Sequence, residues 1–157
     1  MYKVMSVVLA GAMLTAVPVF AQAPSDTNME ILKQKLKADK KLLVASNMEL
    51  TDAEAKQFWP LYESYQKDLE GVNQQLGKTI TEYAEAFNKG PLADDKAKKL
   101  MTDYLSVQDA EVKLQKTYAE KLAGALSPSK TARYLQIENK IRSILKFELA
   151  QQIPLVY

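Results

Sequence analysis

Nine large apolar residues, Phe58, Tyr62, Tyr65, Leu69, Val72, Leu76, Ile80, Tyr83 and Phe87, succeed one another at steps of four, three, four, three, four, four, three and four. Eight steps over 29 residues average about 3.6, the period of a straight amphipathic α-helix. A strand alternates with period two and cannot produce this spacing. A chain with such a stripe builds a long helix and needs a surface to lay against it. Breakers are scarce, with five Gly and six Pro in 157 residues, so the remaining segments also read as helices.

The helix ends carry their own signals. Thr51-Asp52-Ala53-Glu54 fits a capping box with Leu50 placed to staple the entry, and Asn88-Lys89-Gly90-Pro91 supplies a glycine for left-handed geometry followed by a proline. The striped helix is therefore expected over 52–88. Thr27-Asn28-Met29-Glu30 is a second capping box, predicting a helix over 28–47 with Met29, Leu32, Leu36 and Leu43 on one face. A third helix, 94–125, carries Leu100, Met101, Tyr104, Leu105, Val107, Leu114, Tyr118 and Leu122. Ser127-Pro128 starts a fourth, 128–151, with Tyr134, Ile137, Ile141, Ile144, Leu145 and Leu149 as its apolar face. Short connections make neighbours antiparallel. The expected fold is all-α: an elongated four-helix antiparallel bundle around a long central hairpin, curved because Trp59-Pro60 falls two turns inside the second helix.

Residues 1–21 read as a signal peptide, with Lys3 as the charged start, Val4 to Ala16 as the apolar stretch and Pro18 ahead of small residues. Two cleavage sites compete. Val19-Phe20-Ala21, cut before Gln22, avoids the proline that a cut after Ala21-Gln22-Ala23 would leave at the new terminus. One helical domain, 22–157, would follow, exported to the periplasm of a Gram-negative bacterium with no stable membrane insertion once the signal is removed. Losing Lys3 lowers the formal charge from +2 to +1, too little for a nucleic-acid partner that binds by counterion release.

Cysteine and histidine are both absent. Disulfides, thiolate metal sites, cysteine nucleophiles and the commonest general base near neutral pH are thereby excluded. The carboxylate pairs Asp52/Glu54 and Asp94/Asp95 sit at helix starts, where acidic side chains complement the dipole. The chain reads as a non-enzyme with no catalytic, metal or cofactor site and no cofactor.

The lengths point to a binding face instead. A helix over 52–88 spans about 55 Å, whereas the first and fourth are about two-thirds as long and both fold back over the same end of the hairpin. At the turn end two helices alone must shelter Leu76, Ile80, Tyr83 and Phe87 opposite Leu100, Met101, Tyr104 and Leu105, so these eight form the expected partner or dimer face. A basic face, Lys33, Lys35, Lys37 and Lys40 on the first helix with Arg133, Lys140 and Arg142 on the fourth, would attract acidic flanks of a partner. The same charge has a second use: residues 127–157 sum to +3 and residues 51–90 to −3, a balance suited to organising the bundle itself. Lys56, Lys67, Lys78 and Lys89 form a solvated stripe. The tyrosines sit at core spacing, and the apolar stretch Ile153-Pro154-Leu155-Val156-Tyr157 is expected to dock on the bundle.

Leu50-Thr51-Asp52-Ala53-Glu54, an export signal and four helices together resemble the Spy/CpxP group of small periplasmic proteins with LTxxQ motifs. Glu54 stands where that motif has Gln. In the second copy, Leu126-Ser127-Pro128-Ser129-Lys130, Ser127 and Lys130 replace its Thr and Gln. Gln57-Phe58-Trp59-Pro60-Leu61-Tyr62, Ala132 to Lys140 and the ending Gln152 to Val156 look like those of an exported Gram-negative family. The resemblance implies a dimeric cradle that binds unfolding proteins without ATP, or an envelope-stress accessory, with non-native or envelope proteins as partners. The other reading is a structural or regulatory module that self-assembles or binds one dedicated envelope partner.

Overall fold

The computed structural model describes residues 26–156, with side chains from residue 37 onward. The segment 1–21, its cleavage sites and the side chains of Met29, Leu32, Lys33, Lys35 and Leu36 lie outside the described residues. Among the described residues there are four helices and no strand: α1 (Asp26–Met48), α2 (Asp52–Phe87), α3 (Asp94–Ala123) and α4 (Pro128–Gln152). The all-α reading holds. Thr27 falls inside α1, one residue past its start, so it is not the N-cap that the sequence suggested. The chain divides into units 1–38 and 39–157. Of the first, residues 26–38 are helical; the packing described below is that of the second.

Capping explains why α2 starts where it does. The Thr51 hydroxyl accepts from the Glu54 N–H at 3.3 Å while the Glu54 carboxylate accepts from the Thr51 N–H at 2.8 Å, satisfying two donors that a helix start leaves open. Lys130, in the first turn of α4, reaches across and donates to Glu54 at 2.6 Å and to the Glu49 carbonyl at 3.0 Å. Glu49 has φ +49, a left-handed turn that normally falls to Gly or Asn. Glu54 and Lys130 occupy the fifth positions of the two LTxxQ-like segments. These two residues are each other's partners, an ion pair at the positions where that motif has Gln.

This pair has a pH signature. The Lys130 hydrogen bond, followed by the Thr51 N–H, pulls the Glu54 carboxyl from 4.5 down to about 2. A folded-state pKa below the unfolded value gives stability that is complete above 4.5 and disappears as the pH falls through about 2. Glu54→Gln is therefore expected to melt earlier than the parent chain at pH 7, with the gap closing as the pH falls toward about 2. Thermal melts followed by circular dichroism from pH 7 downward check this; a gap that stays constant would remove Glu54 from the account.

Pairing across the helices fixes their sense. Asp68 meets Tyr118 and Glu82 meets Lys96, so numbers fall on α3 as they rise on α2. Gln66 meets Glu138 and Asn73 meets Arg142, so numbers on α4 rise with those on α2 and α4 runs antiparallel to α3 as well. The core gathers Val44, Met48, Phe58, Tyr62, Tyr65, Leu69, Val72, Val107, Tyr118, Leu122, Leu126 and Tyr134. Its centre is aromatic: Phe58 and Tyr134 meet edge to face at 5.1 Å, and Tyr65 and Tyr118 at 5.2 Å, an arrangement that aligns ring edges with ring faces. Four tyrosines take the expected core positions, and Lys56, Lys67, Lys78 and Lys89 are all exposed. α2 continues unbroken through Pro60, whose carbonyl accepts from the Ser64 hydroxyl at 2.9 Å.

Two faces differ from the sequence reading. Among the described side chains of α1 the buried ones are Val44 and Met48, while Leu43 is exposed. On α4 the inward side carries Thr131, Tyr134, Glu138 and Arg142; Ile144 and Leu145 face solvent, and Ile137, Ile141 and Leu149 are half-buried. The polar face can turn inward because its charges are met. Glu138, 1% exposed, accepts from Lys40 at 2.7 Å, Gln66 at 2.9 Å and the Tyr134 hydroxyl at 3.0 Å. Arg142 forks onto Glu111 at 3.1 and 2.5 Å and donates to Asn73 at 2.6 Å. A buried charge is tolerated only with such partners.

Candidate apolar binding groove

Along α2 the stripe starts sealed and ends open. Phe58, Tyr62, Tyr65, Leu69 and Val72 are buried, whereas Leu76, Ile80, Tyr83 and Phe87 are only half-buried. The turn that follows is the expected one, with Gly90 at φ +123, a backbone conformation that suits a residue lacking Cβ. α3 leaves it with Asp94 and Asp95 in its first turn and no side-chain cap from Ala93. Leu100 is buried, but Met101, Tyr104 and Leu105 are 58%, 45% and 51% exposed.

Between these faces lies a cavity of about 500 Å³. Leu76, Ile80 and Tyr83 of α2 line one wall, and Leu100, Met101 and Tyr104 of α3 line another. Six of the eight residues expected at the partner face thus share one groove. Phe87 packs beside it, its ring 5.8 Å from that of Tyr83. Leu105 projects elsewhere on α3 and is not part of the lining.

A third wall comes partly from the stretch that was expected to dock on the bundle. Leu149 and Ala150 of α4, then Ile153, Pro154, Leu155 and Val156, border the same cavity. The expectation of two uncovered helices at the turn end is corrected here: α4 runs alongside α2, with Gln66 bonded to Glu138 and Asn73 to Arg142, so its end at Gln152 already lies about level with Tyr83. The chain then turns extended at Ile153, and the Tyr83 hydroxyl donates to the Pro154 carbonyl at 2.8 Å. The apolar composition of 153–157 and Pro154 were the signals available in the sequence.

At the inner end of the groove Glu111 is held by Arg142 and Lys146. Burial alone would push its carboxyl up, but the two cations outweigh burial and hold it below its ordinary range. Tyr118, deeper in the bundle, is pushed up to about 12, first by burial and then by its bond to Asp68. These groups are spent on one another. The groove is otherwise greasy.

No family model, curated protein or solved structure matches the chain.

The basic face is redistributed. Lys40 and Arg142 turn inward to Glu138 and Glu111, serving the bundle, which is the second use that the charge sums allowed. Arg133, paired with Glu49 at 3.5 Å, and Lys140 remain exposed; Lys37 is exposed too, and Lys33 and Lys35 lie outside the described side chains. Among the described residues no group of three or more His, Cys, Asp or Glu side chains could hold a metal ion, and no helix is long and apolar enough to cross a membrane.

Proposed function

We propose that this chain is an exported, periplasmic protein-binding protein, holdase-like and independent of ATP or acting as an envelope-stress accessory, that collects apolar segments of non-native or envelope polypeptides at the turn end of the α2–α3 hairpin. The observation that supports the reading is the groove itself: an apolar cavity of about 500 Å³ bordered by half-exposed Met101 and Tyr104. Sheltering one large apolar side chain there is worth about 1.5–3 kcal/mol, so a few contacts give useful affinity with no chemical step. The resemblance to the Spy/CpxP group points the same way. Suppression of aggregation of a denaturing client, followed by light scattering, tests it; no protection at severalfold molar excess would sink the holdase reading.

The lining gives a sharper version. Met101→Lys with Tyr104→Lys should fold as the parent does, because both residues are already about half exposed and surface changes shift stability by only about 0.5 kcal/mol. Binding of an apolar dye or client should fall by about tenfold or more, the loss of one buried side chain. Fluorescence titration beside a thermal melt measures both quantities.

A second reading, a module that self-assembles as a homodimer or binds a single envelope partner, is favoured by Ile144 and Phe147, which are 60% and 65% exposed on α4 outside the groove. Sedimentation equilibrium separates the two: a tight dimer with no dye-accessible surface supports the module.

A further inference from the structure

One wall of the groove is a short segment of the chain itself, residues 153–156. Pro154 cannot continue a helix and biases the residue before it toward extended backbone; Ile153 accordingly has φ −93 and ψ 112. The residues that follow border the groove, and among the described residues their one hydrogen bond to its wall is from the Tyr83 hydroxyl to the Pro154 carbonyl, 2.8 Å. The hold is slight. Leu155 is 88% and Val156 56% exposed, so most of the apolar surface of the segment is not buried by the seat it occupies.

The wall also says what kind of segment fits. A helix spends its carbonyls internally, whereas an extended segment presents free carbonyls at its edges, which is what the Tyr83 phenol on a mostly apolar wall can read. A proline carries no N–H, so it brings no unmet donor into a site that offers apolar side chains around it. The two charged lining residues, Glu111 and Lys146, are bonded to each other at 3.3 Å, which leaves the site suited to an uncharged stretch.

We propose that the groove is a receptor for extended, proline-bearing apolar peptide segments, with Tyr83 reading a main-chain carbonyl, and that residues 153–156 are its displaceable resident, so that the chain controls access to its own binding surface. This rests on the binding reading above and adds its ligand class and its regulation.

The test titrates a fluorescein-labelled Ile-Pro-Leu-Val-Tyr peptide, and separately an apolar dye, into three proteins: the parent chain, a chain ending at Gln152, and full-length Ile153→Asp, which expels the segment by charge should the shortened chain fold poorly. Release of the resident should tighten both probes by about tenfold in whichever of the two altered proteins keeps the parental circular dichroism spectrum. Tyr83→Phe on the released background should weaken the peptide by roughly 2- to 12-fold, one hydrogen bond, and leave the dye unchanged. Equal binding by parent and released chains overturns self-occupancy while the binding surface survives. Absence of both probes from every protein overturns the binding reading itself.

Discussion

Arg142→Met is expected to destabilise the protein by about 3–5 kcal/mol, the typical result of stranding one member of a buried ion pair. Glu111 is 5% exposed, and removal of the guanidinium takes away both prongs of the fork as well as the partner of Asn73. Lys146 alone remains, at 3.3 Å, and its side chain is half in solvent. In a chain of this size the loss corresponds to a melting temperature roughly 10–20 °C lower. The double change Arg142→Met with Glu111→Leu should recover most of it, since matched apolar replacement of a buried pair is often neutral or better. Urea unfolding of the four proteins in that cycle gives the coupling; additive losses would show that the fork holds nothing together.

Phe58→Ala and Phe87→Ala should part company although both residues belong to one stripe. Phe58 is fully buried, against the rings of Trp59, Tyr62 and Tyr134, so its truncation leaves a cavity and costs about 3–5 kcal/mol. Phe87 is half-buried at the open end, and its truncation should cost about 1 kcal/mol, the ordinary size of a point change. Chemical denaturation midpoints report both. Equal losses would mean that the turn end is sealed as tightly as the core, and the binding surface would have to be abandoned.

The period of 3.6 along 58–87 and the caps at Thr51, Ser127 and Gly90 placed α2, α3 and α4 nearly to the residue, because those signals are local. Burial is not local. Ile144 looked like core by composition and Arg142 like surface by charge, yet the helix turns Arg142 inward because Glu111 on α3 and Asn73 on α2 are waiting for it, 31 and 69 residues away. Lys40 was misread for the same reason, its partner Glu138 being 98 residues distant. The groove was half legible. The walls from α2 and α3 follow from spacing around the Gly90-Pro91 turn, but the third wall depends on where an extended segment lands after α4. The Glu54–Lys130 pair stood in plain view as two departures from one motif at matching positions.

Past the Arg142 fork, α4 is tied to the bundle again by Lys146, 3.3 Å from Glu111. Upstream, Lys130 ties the start of that helix to the α1–α2 connection; downstream of Lys146, six residues lead to Gln152, about 9 Å of helix, and the next fastening is the Tyr83 hydroxyl on the Pro154 carbonyl. The rim of the mouth on this side is a short span pinned at both ends, while the aromatic contacts of α4 lie behind the fork at Tyr134, so grip and fold integrity rest on different fastenings.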